Sequence, residues 1–587
     1  MITYAVDMES YYDSECSVKT LGPRAYFAHH SFDAYLVTVV SDEGFSFVGH
    51  PEDFQWELLR DQRVVMHNAS FDHALYRFGV ERGWFQDVPF ECHCTADLCA
   101  YLCLPRSLKA AAAAVLGVEI SKTVRDDMAG KRWEAMTPEF QQRVKEYALK
   151  DAELCLKLWQ ELEAGWPHHE REISRMNRQI GMRGLPINQE LLRTNLETIK
   201  TKLFEAEQAI PWIADKTPLS RTAINAECRK HGIEPPSSWA QDSEEAEAWL
   251  DKHGRVHLWA MAVRNFRRIN SLLRKLESFD RATLADGRYY GGFYYCGAAP
   301  TLRFSGSGGN LNLQNLPKEG MFGVNFRPMI EAKPGYKLLV ADLSQIEVRT
   351  LAYGAKDAET LERIRQSDDI YHAFGIVLGL HKEEEGPLRK FPERRQLVKM
   401  LVLGLGFQMG AARFARENDI PLPEAERLVN LFRSRMKKTV GFWNQFDKDL
   451  AACHSLGVPF EIPLPIGRTM KYGVLRRMRN AKTKRFQYLA KMNRFGKKRD
   501  MGIFPGHLAE NYAQGLARDV FSDMMLRVEA AGIPVILHVH DEMVCEVPED
   551  RAEELLSKML AIMHTPPDWA PDLPVAAEGK ILTYYSK

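Results

Sequence analysis

Residues 536–548, ILHVHDEMVCEVP, place the tightest limit on what this chain can fold into. Ile536, Leu537 and Val539 precede His540, Asp541 and Glu542, and Met543, Val544 and Val547 follow, so two apolar strands flank a polar turn. Strands this apolar belong inside a sheet, and the turn then carries two adjacent carboxylates where uncompensated charge is costly. Asp and Glu are also ordinary turn residues, so the hairpin alone does not decide between a loop and a site. A second element narrows the choice. The stretch GYKLLVADLS, residues 335–344, reads as a strand that ends in Asp342 and feeds directly into a helix, leaving that carboxylate at a sheet rim where a cation can reach it.

The chain has 587 residues, more than one apolar core supports, so three or more domains are expected. It contains no run of 18 uncharged apolar residues, and MITYAVDMES at the N-terminus lacks the basic and apolar regions of a secretory signal. A cytoplasmic protein is expected. Ten cysteines fit a reducing compartment. The segment CHCTADLCAYLC, residues 92–103, sets Cys99 and Cys103 on one helical face without a second ligand pair, so structural cysteines are expected rather than zinc.

Basic and acidic residues balance at 78 each, so only their distribution is informative. From Gly467 to Arg499 there are thirteen Lys and Arg and no Asp or Glu, with Tyr472, Phe486, Tyr488 and Phe495 interleaved, a composition suited to a polyanion. Arg264, Arg267, Arg268, Arg274 and Lys275 form a weaker basic cluster on a helical pattern.

Strand-like and helix-like segments alternate through residues 1–165, as in an α/β domain. Residues 166–290 read as long, charged helices, 291–355 contain the strand ending at Asp342, 356–450 are again largely helical, and 451–587 hold a helix, the hairpin and a final helix.

Further carboxylates occur in the first of these segments. Asp7 and Glu9 alternate on a strand and leave the same face, where they repel unless a cation lies between them. Tyr147 and Asp151, four apart, share one helical face, and Asp72 in NASFDHAL begins another helix. In the order DxE, NxxFD, YxxxD, these motifs resemble the proofreading 3′–5′ exonucleases of the DEDD superfamily, tyrosine subtype. The resemblance implies a ribonuclease H-like domain over 1–165. Asp7, Glu9 and Asp151 would hold one metal ion, Asp7 and Asp72 would support a second, and Tyr147 would orient the attacking water.

The remainder resembles family A DNA polymerases. DLSQIEVR (342–349) is similar to motif A, RRQLVKMLVLGLGFQMG (394–410) to motif B and HVHDEMV (538–544) to motif C. LRFSGSGGNLNLQNLP (302–317) and AENYAQGLARD (509–519) resemble segments that follow the primer-template. The resemblance implies an α/β and α+β multidomain fold, the exonuclease followed by a right-hand polymerase: thumb at 166–290, first part of the palm at 291–355, fingers at 356–450 and second part of the palm at 451–587. Asp342, Asp541 and the carbonyl of Leu343 would ligate two Mg2+ ions, with Mn2+ able to substitute, and Glu542 would be secondary. Arg395 and Lys399 would face the triphosphate, with Lys399 a candidate proton donor to pyrophosphate. Gln345 would lie near the nucleotide, Glu347 would block a ribose 2′-hydroxyl, and Arg303, Gln314, Asn315, Gln514 and His540 would contact the minor groove or primer end.

Motif B departs from the family pattern at Leu403, where an aromatic is usual, and at Phe407, where tyrosine is usual. The usual fingers histidine is ambiguous between Tyr371 and His372, and Leu302 replaces a glycine before Arg303. The expected partners are primer-template DNA, deoxynucleoside triphosphates and a single-stranded 3′ end, with replisome proteins as further partners of a monomer that makes no membrane contact. With DxE at residue 7, no 5′-nuclease domain is expected before the exonuclease, and the chain resembles compact phage replicative enzymes. A single-subunit RNA polymerase and a nuclease with an inactive polymerase body remain the competing readings.

Overall fold

A computed structural model describes all residues except 120–122, 240–242, 307–311, 480–485, 495–496 and 587. Phe495 and residues 307–311 of the 302–317 segment therefore lie outside the described residues.

The N-terminal part is built on a five-stranded sheet. In chain order its strands are β1 (Thr3–Ser10), β2 (Ala34–Ser41), β3 (Ser46–Gly49), β4 (Arg63–Met66) and β5 (Glu91–Cys94), arranged β3-β2-β1-β4-β5. β1 pairs antiparallel with β2 and parallel with β4. Alternation in β1 sorts its side chains: Tyr4, Val6 and Met8 enter one core with Ala69, Leu75 and Tyr76, while Ala5 enters another with Ala152 and Cys155. Asp7 and Glu9 share the face of Ala5, toward the helix Pro138–Leu162 that packs on β1 and β2. That helix starts at Thr137, whose hydroxyl accepts from Phe140 N at 3.3 Å, with Pro138 in the first turn.

Among the described residues five α-helices follow, His168–Arg183, Gln189–Gln208, Arg221–Lys230, Glu244–Gly254 and Leu258–Ala282. The basic cluster on the last of them is largely neutralised by its neighbour: Arg264 pairs with Asp251, and Arg267 and Arg268 reach Glu247 at 3.4 and 3.1 Å.

The central sheet has the order Val535–Val539, Glu542–Pro548, Tyr336–Leu343, Ala577–Leu582, with every pair antiparallel. Helices Pro505–Ala530 and Ala552–Met563 cover it. One large apolar core joins this sheet to the N-terminal part; a second runs from Val348 to Leu516, past the expected boundary at 450/451. It contains the helices Ile370–Val377 and Pro392–Leu405. Cys92, Cys94 and Cys99 are buried, and burial first of all raises the Cys92 and Cys99 thiols to about 12, which keeps them protonated. Among the described residues no helix is long and apolar enough to cross a membrane.

Candidate active sites and nucleic-acid interface

At the N-terminal site Asp7, Glu9, Asp72, Tyr147 and Asp151 arrive from three elements. Asp72 lies in the first turn of the helix Ala69–Glu81, and its Oδ1 accepts from Met8 N at 3.2 Å, which fixes the helix start against β1. Asn68, just before that helix, has φ 77°, a left-handed conformation that asparagine tolerates better than most residues. Burial raises the Asp7 carboxyl well above the usual range, and the charges of Glu9, Asp72 and Asp151 raise it further. Burial also raises Glu9 to about 7 and lifts Asp72. Mutual elevation of this kind means that the carboxylates share one electrostatic pocket. Asp7 Oδ2 is buried with no hydrogen-bond partner. The donors are all hard oxygens, so the set suits a divalent cation of the magnesium class. Among the described residues, however, no three acidic, His or Cys side chains form a ready-made metal cage.

Tyr147 is pushed strongly upward, by burial first and then by Glu9 and Asp151. It remains a neutral phenol that can donate a hydrogen bond but cannot serve as a base. Arg125 was missed by sequence reasoning. It lies on the short helix Thr123–Met128, its carbonyl accepts from the Tyr12 hydroxyl, and its charge favours the ionised forms of Asp7, Glu9 and Asp72. Nothing in the local pattern TVRDDM distinguishes it from a solvated helix.

The second site lies at the rim of the central sheet. Its register sets Asp342 opposite Glu542, and Leu343 N donates to Asp541 O at 3.0 Å, so Asp342 and Asp541 finish on neighbouring chain ends. The turn is held by His540 at φ 59°, and the strand-to-helix junction after Asp342 by Gln345 at φ 50°. Both are sparsely populated conformations for residues with a Cβ, and such strain is characteristic of functional turns. Leu302 has φ 61°, which accounts for a glycine preference at that position, since glycine adopts it without a steric penalty.

A cleft opens beside these turns, lined by Arg303, Phe304, Gln314, Ile346, Glu347, Gln514, Ala517, Arg518, Phe521, His540 and Asp541. Arg303 reaches His540 Nδ1 at 3.1 Å and Glu347 Oε1 at 3.5 Å. The Glu347 carboxyl is raised by burial, against the pull of Arg303 and with the repulsion of Glu510. Asn315 lies exposed at the end of the turn Leu313–Asn315, outside this lining. Glu542 is buried and takes a hydrogen bond from the Tyr585 hydroxyl, a contact far from its own stretch of sequence.

On the helix Pro392–Leu405, Arg395, Lys399 and Leu403 recur every four residues and form one stripe, with Leu403 exposed at 43%. Arg395 is held bidentately by Asp369, at 2.7 and 3.2 Å, and its guanidinium carbon lies 4.9 Å from the centre of the Tyr371 ring. Tyr371 donates to Gln345 Oε1 at 3.1 Å, whereas His372 Nδ1 accepts from Leu388 N at 3.2 Å. Of those two residues, Tyr371 is therefore the one that faces the nucleotide-binding candidates. Phe407 follows the helix, and its carbonyl would lie 2.3 Å from a Cβ added to Gly506, so the helix Pro505–Ala530 starts against it only because residue 506 has no side chain.

The basic run divides between two roles. Arg468 is buried and ion-paired with Asp519 at 2.8 Å, and Tyr472 is a core residue whose hydroxyl accepts from Asn511 at 2.9 Å. Those two are structural, contrary to the expectation that the run as a whole faces a polyanion: both are enclosed by the second core and the long helix.

The sequence model of DNA polymerase family A matches residues 193–461. The DNA polymerase of Bacillus phage SP02 is 26% identical over 77% of this chain and 76% of its own length. The matched stretch 193–461 carries the pattern of DNA polymerase family A. The chain is also 30% identical to the thermostable DNA polymerase I of Thermus filiformis, over 45% of its own length and only 29% of that protein. Among solved structures, the POL domain of Pol1 from M. smegmatis, in complex with DNA primer-template and dNTP, matches with a TM-score of 0.69 at 19% identity. That match covers 99% of this chain and 95% of the other and is a likeness of fold.

Proposed function

We propose that this family A polymerase joins template-directed synthesis from deoxynucleoside triphosphates to 3′–5′ exonucleolytic proofreading, in two separate carboxylate sites. The observation that supports the synthetic site is the pairing of Tyr336–Leu343 with the strand Glu542–Pro548, which sets Asp342 opposite Glu542 and brings Leu343 N onto the carbonyl of Asp541, itself a residue of the Glu347–Gln514 cleft. Asp342 and Asp541, with the Leu343 carbonyl, are the candidate magnesium ligands there; Asp7, Glu9, Asp72 and Asp151 are those of the editing site. When bound, magnesium, or manganese in its place, supplies the Lewis acidity that activates the primer hydroxyl or the attacking water and offsets charge on the departing group.

The remaining steps belong to side chains. Arg395 and Lys399 bind the triphosphate, Arg395 exchanging the Asp369 carboxylate for phosphate oxygens of similar geometry. Glu347 occupies the space that a ribose 2′-hydroxyl needs. Arg303, Gln514 and His540 line the cleft where the minor groove of the primer end would lie, and base-pair acceptors common to all four pairs suit them. In the editing site Tyr147 donates to the attacking water and orients it. The topology β3-β2-β1-β4-β5, with three antiparallel strands followed by parallel pairing, supports a ribonuclease H-like assignment for that domain.

Primer extension with matched and mismatched 3′ ends tests both halves. Asp541→Ala should abolish extension and leave single-strand degradation intact. Asp7→Ala with Glu9→Ala should abolish trimming and leave extension intact. Retained extension in the first variant, or retained trimming in the second, would refute the corresponding site, and a preference for ribonucleotides would favour an RNA polymerase.

A further inference from the structure

The three-stranded antiparallel sheet Arg476–Arg479, Phe486–Arg494 and Lys497–Ile503 has no part in the two sites above. Its inner end is anchored: Ala490, Met492 and Ile503 are buried in the second core. Its outer end is not. All four residues of Arg476–Arg479 are exposed, and Phe486 is 64% exposed. Antiparallel register sets Arg477 opposite Tyr488 and Arg479 opposite Phe486, so by strand alternation Arg477, Arg479 and Phe486 share one face. The guanidinium of Arg477 lies 4.6 Å from the centre of the Phe486 ring. Across Gly467–Arg499 there is no acid; the nearest, Asp500, pairs with Arg476 on the opposite face.

Exposed cations beside an exposed aromatic ring fit a single-stranded nucleic acid, whose phosphates need charge and whose unstacked bases need a platform. The position of the sheet specifies which strand. Its last strand leads through the exposed Phe504 into the helix Pro505–Ala530, whose Gly506 N donates to Gln408 Oε1 at 3.0 Å, next to Phe407. We propose that the outer end of this sheet binds the unpaired template strand as it approaches the nucleotide cleft, Arg477 and Arg479 taking phosphates and Phe486 stacking on a base. The assignment rests on the proposed function, which puts the triphosphate on the helix Pro392–Leu405 that Phe407 follows.

The test is equilibrium binding without turnover, read by fluorescence anisotropy in Ca2+. The full chain is offered a primer-template with a long 5′ template overhang and a blunt duplex of the same paired sequence. Arg477→Gln with Arg479→Gln should weaken overhang binding and lower its log–log salt slope by about 1.4, since each single-strand phosphate contact contributes about 0.7. Phe486→Ala should weaken it about fivefold or more. Blunt-duplex affinity should be unchanged in all variants, and because these side chains are exposed, an unaltered circular dichroism melt is expected. Overhang binding equal to the parent's, or an equal loss on both DNAs, would overturn the proposal. Failure of the parent chain to extend primers would instead count against the proposed function, so the two failures are distinguishable.

Discussion

Replacing Glu170 with Gln tests how the two halves of the molecule are joined. Glu170 is fully buried in the first turn of the helix His168–Arg183, and its carboxylate accepts from Arg518 Nη1 and Nη2 at 2.5 and 2.9 Å and from the Tyr295 hydroxyl. Arg518 lies 3.3 Å from Asp519, which in turn accepts from Arg468 Nε at 2.8 Å. All four charges are buried, two of each sign. Glu170→Gln leaves two guanidiniums to share one carboxylate inside the core. Removing one partner of a buried pair costs about 3–5 kcal/mol because the other charge is stranded. At roughly 2–4 °C per kcal/mol for units of about 150–250 residues, that is a fall on the order of 10 °C in the transition of this unit.

Differential scanning calorimetry at neutral pH measures the fall. The double variant Glu170→Leu with Arg518→Met removes one charge of each sign and leaves Arg468 with Asp519, so it should melt within about 1–2 kcal/mol of the parent. The pH dependence has a definite sign. Burial pushes the Glu170 carboxyl up, but Arg518, the Tyr295 hydroxyl and Arg468 together outweigh it and hold the carboxyl below its usual value. Its contribution is therefore present above the unfolded value and is lost as pH falls through the folded one, so the gap between parent and Glu170→Gln should narrow in acid. A single variant melting within about 1 °C of the parent, or a double variant worse than the single, would refute the idea that these charges bolt the Pro505–Ala530 helix to the N-terminal half.

Metal-free protein should lose stability as pH rises from about 4.5 to about 7, because the folded chain binds more protons than the unfolded one at Asp7, Glu9 and Asp72. Thermal melts in EDTA should show that slope, Mg2+ should reverse it at pH 7.5, and Asp7→Ala with Glu9→Ala should flatten it. Glu347→Ala should raise ribonucleotide incorporation about ten- to hundredfold in competitive kcat/KM, equivalent to about 1–3 kcal/mol, and an unchanged ratio would remove Glu347 from sugar selection. Arg395→Lys loses the planar fork that now grips Asp369 and should raise KM for the triphosphate about tenfold, with degradation of single strands unaffected.

Much of the candidate chemistry was legible because it is local. Asp7 and Glu9 share a face by strand alternation, Tyr147 and Asp151 by helical spacing, and Asp342 and Asp541 stand at element ends marked by apolar runs. The basic run was legible as composition only: burial took Arg468 and Tyr472 out of it, and no spacing rule separates them from the exposed Arg477. Asp369 gave no signal as the partner of Arg395, nor did Tyr585 as the partner of Glu542, since each pair meets across elements distant in sequence.

By itself the sequence determined which side chains leave each strand or helix together, because that follows from backbone periods of 2 and 3.6 residues. Only the tertiary structure decided which of those faces meet. The approach of Arg125 to the acidic pocket, the choice of Tyr371 over His372, and the ion pairing of Glu170 with Arg518 depend on how the chain packs between elements. That path is set by the burial of whole apolar faces, a sum over many residues that no short motif contains.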